Sequence, residues 1–135
     1  MADVSITAAN VVPGPNAVYR DGIAGATITA GQVCYVDASD GRVKLADANA
    51  SATTSIPAGI AVNGAASGQP VRLVVEDDDF TVGGTVAKGV YVLSANPGGI
   101  APVSDITTGW FPVVVGVAIS TSKMVVKFVR GTVAV

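Results

Sequence analysis

The sequence predicts an all-β fold, and three observations support this prediction. Half of the 135 residues are apolar, mostly Val and Ala with Ile next, and Thr and Gly are plentiful. Branched residues such as Val and Ile fit a pleated surface, whereas good helix formers other than Ala are scarce. Short apolar runs alternate with turn residues every 8–12 positions, and the second half of the chain repeats the first. We therefore expect a small sandwich, jelly roll or barrel built from two similar strand groups.

The repeat has an offset of 57 residues, which lays 30–43 on 87–100 and 59–62 on 116–119. The residues that meet identical partners are Ala30, Val33, Ala38, Gly41, Gly59 and Ala61. An offset about two residues smaller lays 71–74 on 126–129. Because a fixed offset defines a building block, we predict one domain over 1–135. It would contain an N-terminal arm (1–27), strand repeat one (28–79) and strand repeat two (80–135).

The arm is predicted to be extended, with one short strand and a final turn at Asp21-Gly22. Its Pro13-Gly14-Pro15-Asn16 cluster lacks two amide donors, so no regular strand passes through it. Ordering the arm would expose its apolar side chains unless a partner covered them. The predicted partner contacts, which include the C-terminal end of the chain, are therefore Val4, Ile6, Val11, Val12, Thr132, Val133 and Val135.

In repeat one, strands are predicted at 33–36, 42–45, 60–62 and 71–75, with a turn at Ser39-Asp40-Gly41. The Ala-rich segment 45–55 is predicted as a loop, with a short helix as the alternative. In repeat two, extended structure at 80–82 precedes strands at 90–93, 100–103, 113–119 and 124–129. The almost unbroken apolar run from Val113 to Ile119 predicts a strand buried on both faces.

Glu76 to Asp79 form the sharpest cluster of charges. Consecutive carboxylates could attract Ca²⁺, but residues of an extended chain alternate between faces, and the spacing is not that of an EF-hand. We therefore favour a solvated connection between the repeats, whose charge also discourages edge pairing.

No catalytic, cofactor-binding or metal site is predicted, and we expect the protein not to be an enzyme. The chain has no histidine, the commonest general base and metal ligand. Its only cysteine, Cys34, lies in an apolar run typical of a buried hydrophobe, with a reactive thiol as the alternative. Asp37 and Asp40 bracket a turn, where a charged hairpin tip is favoured over an acid–base pair. Trp110-Phe111 is expected to pack in the core, or else to anchor a partner.

The charge distribution argues against two classes of partner. The formal net charge is −2 and the eight basic residues are scattered, so no nucleic-acid surface is predicted. No apolar run approaches the roughly 20 residues of a membrane-spanning helix. The first residues lack the pattern of a signal peptide, so we expect the protein to be used in a cytoplasm or exported by another route.

Several segments resemble capsid decoration (cement) proteins of tailed bacteriophages. They are 30–37, 56–62 and 68–75 in repeat one, and 89–94, 98–102 and 115–119 in repeat two. The resemblance implies a β-rich virion protein, assembled in the cytoplasm of a bacterial host, that binds the exterior of an expanded shell. Such a protein would act as a dimer or trimer that clamps neighbouring major capsid proteins. The alternatives are a tail-fibre or host-adhesion β-module and, less favoured, a ligand-binding barrel or enzyme.

Overall fold

The computed structural model describes residues 3–135, so the first two residues of the predicted arm lie outside it. This part of the chain contains nine strands and no α-helix, which confirms the all-β prediction. None of its helical segments is long and apolar enough to cross a membrane. The strands are β1 (Val18–Ile23), β2 (Val33–Val36), β3 (Val43–Leu45), β4 (Gly59–Ala61), β5 (Pro70–Thr81), β6 (Gly89–Leu93), β7 (Ile100–Pro102), β8 (Val113–Ala118) and β9 (Lys123–Arg130).

The Ala-rich segment 45–55 forms no α-helix, and only Thr53–Ser55 makes a single 3₁₀ turn. Its hydroxyl side chains bond to the backbone instead. The Thr54 hydroxyl donates to the carbonyl oxygens of Asp47 and Ser51, at 3.0 Å each. Such local bonds compete with helix formation, so the predicted loop is confirmed.

The two strand groups have the same connectivity. β2 pairs with β3 and β4, and β4 pairs with β5; likewise β6 pairs with β7 and β8, and β8 pairs with β9. The register is also the same, because Val33 lies opposite Ile60 while Val90 lies opposite Val117, 57 residues further on in each case. The predicted duplication is therefore confirmed for the first three strands of each group.

The predicted offset for the last strand of each group is wrong. Val74 lies opposite Ile60, and Val125 lies opposite Val117, so the equivalent residues are 51 apart rather than 55. The offset falls from 57 to 51 because the β8–β9 hairpin is six residues shorter than the β4–β5 hairpin. The difference is an even number, so the residues still lie on equivalent faces of the strand.

β5 belongs to both groups. Val74 pairs with β1 and β4, whereas Glu76 pairs with β1 and β9, so β4 and β9 lie along one edge of β5 and β1 along the other. The first half of β5 therefore ends one group, and its second half opens the next in the position that β1 occupies in the first. We call these groups unit one (18–75) and unit two (76–130).

This arrangement changes the predicted boundaries. The boundary at 79/80 falls inside the continuous strand β5, which runs from Pro70 to Thr81. Residues 18–23, predicted to belong to a non-repeating arm, form the first strand of unit one. The turn predicted at Asp21-Gly22 is wrong, because both residues lie within β1 and pair with β5.

Unit one curls until its edge strands meet. Ala24, just after β1, bridges to Val43 of β3, and the Gly25 N–H donates to the Val43 carbonyl oxygen (2.8 Å). Its interior is a small hydrophobic cluster of Ala24, Ile28, Cys34, Val43, Ala58, Ala61, Ala65, Val71 and Leu73.

Unit two is bridged by the N-terminal arm instead. The Val4 N–H donates to the carbonyl oxygen of Ile100 in β7, and the Thr7 N–H donates to that of Gly83 (2.8 Å each). Val12 then pairs with Thr81 at the end of β5. The arm therefore spans the gap between β7 and β5, over a core that includes Phe80, Tyr91, Leu93, Ile100, Val113, Val115, Met124 and Val126.

Equivalent glycines allow the same close approach of strands in both units. A Cβ at Gly59 would lie 2.7 Å from the carbonyl oxygen of Val74. A Cβ at Gly116, the equivalent position, would collide with the carbonyl oxygen of Val125. The repeated Gly-x-Ala pattern thus has a steric cause, since no larger residue fits between these strands.

Candidate interaction surface

The charged residues of the β2–β3 hairpin form an ion-paired tip. The Lys44 ammonium lies 2.7 Å from a carboxylate oxygen of Asp37 and 3.1 Å from one of Asp40. Lys44 and the Ser39 hydroxyl and amide hold the pKa of Asp37 well below its ordinary value. The Arg42 amide, and then Lys44, lower the pKa of Asp40. Both carboxyls are therefore ionised near neutral pH, which supports the predicted charged tip over an acid–base pair.

This tip has a structural counterpart in unit two. The Ser39 N–H donates to the Asp37 carboxylate (2.9 Å), and the Asn96 N–H donates to the Ser94 hydroxyl (3.0 Å). Ser94 stands 57 residues after Asp37, so each side chain accepts from the amide two residues further on in the same turn. Asp37 is thus first of all a turn residue.

Cys34 is fully buried inside unit one. Burial raises the pKa of its thiol to about 12, so the reactive thiolate is not populated at neutral pH. The interpretation of Cys34 as a buried hydrophobe is confirmed.

The acidic run is not a solvated connection, and that prediction is wrong. All four residues lie within β5, and Asp77 is 1% exposed. The Asp77 carboxylate accepts hydrogen bonds from the Gly14 N–H (2.7 Å) and the Asp79 N–H (2.9 Å), so it anchors the Pro-rich part of the arm at a bulge in β5. No group of three or more His, Cys, Asp or Glu residues within 3–135 could hold a metal ion.

One Ser-x-x-Lys spacing, Ser120 and Lys123, was missed in the sequence, and it also serves the backbone. The Ser120 hydroxyl accepts from the amides of Ser122 (3.3 Å) and Lys123 (3.1 Å). The Lys123 ammonium lies 3.4 Å from the Asp79 carboxylate. The serine is therefore a turn residue, and its lysine is ion-paired across to β5.

Two groups of predicted contact residues pack on the chain itself. Trp110 and Phe111 are half-buried against the core of unit two, as the packing interpretation predicted. Val11 is buried in that core, and Val4 and Ile6 are half-buried against it.

The argument that a partner must cover the arm is therefore wrong for Val4, Ile6 and Val11. The other predicted contacts, Val12, Thr132, Val133 and Val135, are exposed.

The outer side of unit two carries a row of valines that we call the valine face: Val90, Val103, Val117 and Val125. Val90 pairs with Val117 and Val117 pairs with Val125, while Val103 follows β7 in register with Val90. Val103 is 47% exposed, Val117 42% and Val90 37%, and Val125 is half-buried. Side chains opposite one another on neighbouring strands share a face, so the row is a continuous apolar strip.

The equivalent row in unit one is completely buried. Its residues, Val33, Ala46, Ile60 and Val74, are each 0% exposed and belong to the same hydrophobic cluster as the core of unit two. Part of their cover is the tip of the β6–β7 hairpin. The Val33 N–H donates to the Gly98 carbonyl oxygen (3.0 Å), and the Gly98 N–H donates to the Ala46 carbonyl oxygen (2.7 Å).

The prediction that 113–119 is buried on both faces is therefore wrong. Val117 and Ile119 are exposed, because unit two lacks the neighbour that covers the same row in unit one. The hydrophobic pattern does not distinguish the two cases, since both rows are apolar. The repeat itself is the one sequence signal, because the last unit of a stack has an uncovered face.

Among the described residues, the side chains that sequence reasoning singled out as reactive cap turns, pair ions or fill the core. The valine face is the feature without such a role. Comparisons with models of known protein families and with curated proteins find no match to this chain. An exposed apolar strip on a stable sheet is suited to bind another protein surface.

Proposed function

We propose that this protein is a structural virion protein that binds the outer surface of an expanded tailed-phage capsid and stabilises contacts between major capsid proteins. It would assemble in the bacterial cytoplasm and act on the capsid exterior as a homo-oligomer. The proposal starts from the resemblance of six segments to decoration proteins. These segments supply strands β2, β4, β5, β6, β7 and β8, so they lie in the duplicated scaffold.

The observation that carries the proposal furthest is the valine face. A protein that clamps a shell works by burying area against its neighbours. Val90, Val103 and Val117 offer such area on a rigid sheet, whereas the same row in unit one is closed. Fully burying one such side chain contributes about 1.5–3 kcal/mol, so a few valines at the centre of a larger contact would contribute substantially to affinity.

The test is binding of the purified protein to expanded, undecorated capsids, measured by co-sedimentation. Val117→Lys places a charge in the middle of the valine face, and we expect at least about a tenfold loss of affinity. Val18→Lys is the matched control, because Val18 is 52% exposed on β1, outside the valine face, and its substitution should leave binding unchanged.

Val12→Lys tests the arm as the alternative contact. Val12 is 53% exposed and lies outside the core. Loss of binding in Val12→Lys with none in Val117→Lys would move the contact to the arm. Absence of wild-type binding to any expanded capsid would refute the proposed function, and a tail-fibre or host-adhesion role would then be the next to test.

A further inference from the structure

We infer that the valine face receives an uncharged, glycine-containing β-hairpin tip from another protein, and that charges on this chain's own free tip keep a second copy out. The inference deepens the proposed function in one respect, because it treats the valine face as a binding surface. It does not depend on the partner being a shell protein.

The chain contains an example of what covers such a row. In unit one, the row ends at Val33 and Ala46, and the tip of the β6–β7 hairpin bonds to both through the backbone of Gly98. A Cβ at Gly98 would lie only 3.1 Å from the Gln32 side chain. Its φ of +77° also favours glycine. The docked tip therefore needs a glycine at the contact.

The docked tip is small and carries no charge, with the sequence Ser94-Ala-Asn-Pro-Gly-Gly. Two positions of this hairpin are closed to solvent. Ser94 is 1% exposed, and Ala101, on the strand that follows the tip, is 0% exposed. A hairpin that occupies the same place on unit two must have uncharged residues at the corresponding positions, because an unpaired buried charge is very costly.

The equivalent tip of unit one does not meet this requirement. Asp37 stands where Ser94 does, and Lys44 stands where Ala101 does, at the offset of 57. Both side chains are partly solvated and lie 2.7 Å apart in an ion pair that also includes Asp40. Docking this tip on the valine face of a second copy would desolvate the pair, and such desolvation often outweighs the attraction between the charges.

The charged tip therefore has a consequence for assembly. A tip of one copy on the face of the next would be a head-to-tail contact, which builds open chains unless the rotation closes. Asp37, Asp40 and Lys44 oppose that contact, whereas a different protein with an uncharged tip meets no such penalty. The valine face is thereby left free for a heterologous partner.

The test converts the free tip into the docked one. The graft variant carries Asp37→Ser, Ser39→Asn, Asp40→Pro, Arg42→Gly and Lys44→Ala, which give unit one the tip residues of unit two. We expect it to self-associate at least about tenfold more tightly than the wild type, into oligomers that grow with concentration. Analytical ultracentrifugation of the purified protein measures this without any capsid, so the result is separate from that of the capsid-binding assay.

A second substitution shows where the grafted tip binds. Adding Val117→Lys to the graft variant should restore wild-type behaviour, whereas adding Val18→Lys should not. If the graft variant does not fold, as judged by circular dichroism, the milder neutral tip Asp37→Asn, Asp40→Asn and Lys44→Gln replaces it, with the same expectation.

Two results would overturn the inference. One is a folded graft or neutral-tip variant that associates no more than the wild type. The other is a wild-type protein whose own oligomers are broken by Val117→Lys, since a second copy would then be the occupant of the face.

Discussion

Asp77→Ala should destabilise the protein far more than its position in an acidic run suggests. The substitution removes the acceptor for two backbone amides, those of Gly14 at 2.7 Å and Asp79 at 2.9 Å. An amide that loses its acceptor in a buried place costs about 1–3 kcal/mol. Because Gly14 and Asp79 are only half-buried, water will compensate in part, and we expect a total loss of about 2–4 kcal/mol.

For a domain of this size, about 4 °C in melting temperature corresponds to 1 kcal/mol, so the midpoint should fall by about 8–16 °C. Chemical denaturation gives the free energy of unfolding, and limited proteolysis reports whether the arm is released near Gly14. The matched control is Asp78→Ala, since Asp78 is exposed and makes only a 3.5 Å contact with Asn16. Equal midpoints for the two variants would refute the anchoring role of Asp77.

Three further predictions follow from single sites. Gly116→Ala should cost about 2–3 kcal/mol in a denaturation experiment, because a Cβ collides with the neighbouring strand, whereas Gly64→Ala, with its nearest atom at 3.7 Å, should cost little. Lys44→Gln should raise the pKa of Asp37 towards its ordinary value of 3.8, as measured by carboxyl-carbon NMR. Since that pKa is lowered in the folded state, its stabilisation is present above pH 3.8 and is lost as the pH falls further; an unchanged titration in Lys44→Gln would contradict the pairing. Cys34, with a thiol pKa raised to about 12, should resist a thiol reagent near pH 8 and react only in denaturant.

The all-β fold and most strands were predictable because turns and apolar runs are local features of the sequence. Gly41 and Gly98 mark equivalent hairpins, and both adopt positive φ, at +70° and +77°. The register of three strands in each unit also follows from the alignment of the halves. The last strand was misaligned because hairpin length is free to change, while the apolar pattern of Val, Leu and Phe tolerates a shift by an even number of residues.

The shared strand and the interaction surface were not predictable from local patterns. Glu76 to Asp79 read as a break in a strand, but Asp77 is accommodated by a bulge and by the amide of Gly14. Likewise, Val117 and Ile60 are both apolar strand residues, and only the packing of the two units separates the exposed one from the buried one. Long-range contacts decide both outcomes, and sequence periodicity carries no information about them.

The most direct test of the account is a cryo-EM reconstruction of expanded, undecorated tailed-phage capsids mixed with the purified protein. The account predicts ordered density on the outer surface in which Val90, Val103 and Val117 of unit two are covered by a capsid subunit. Density in which these valines face solvent, or a shell surface without added density, would contradict it.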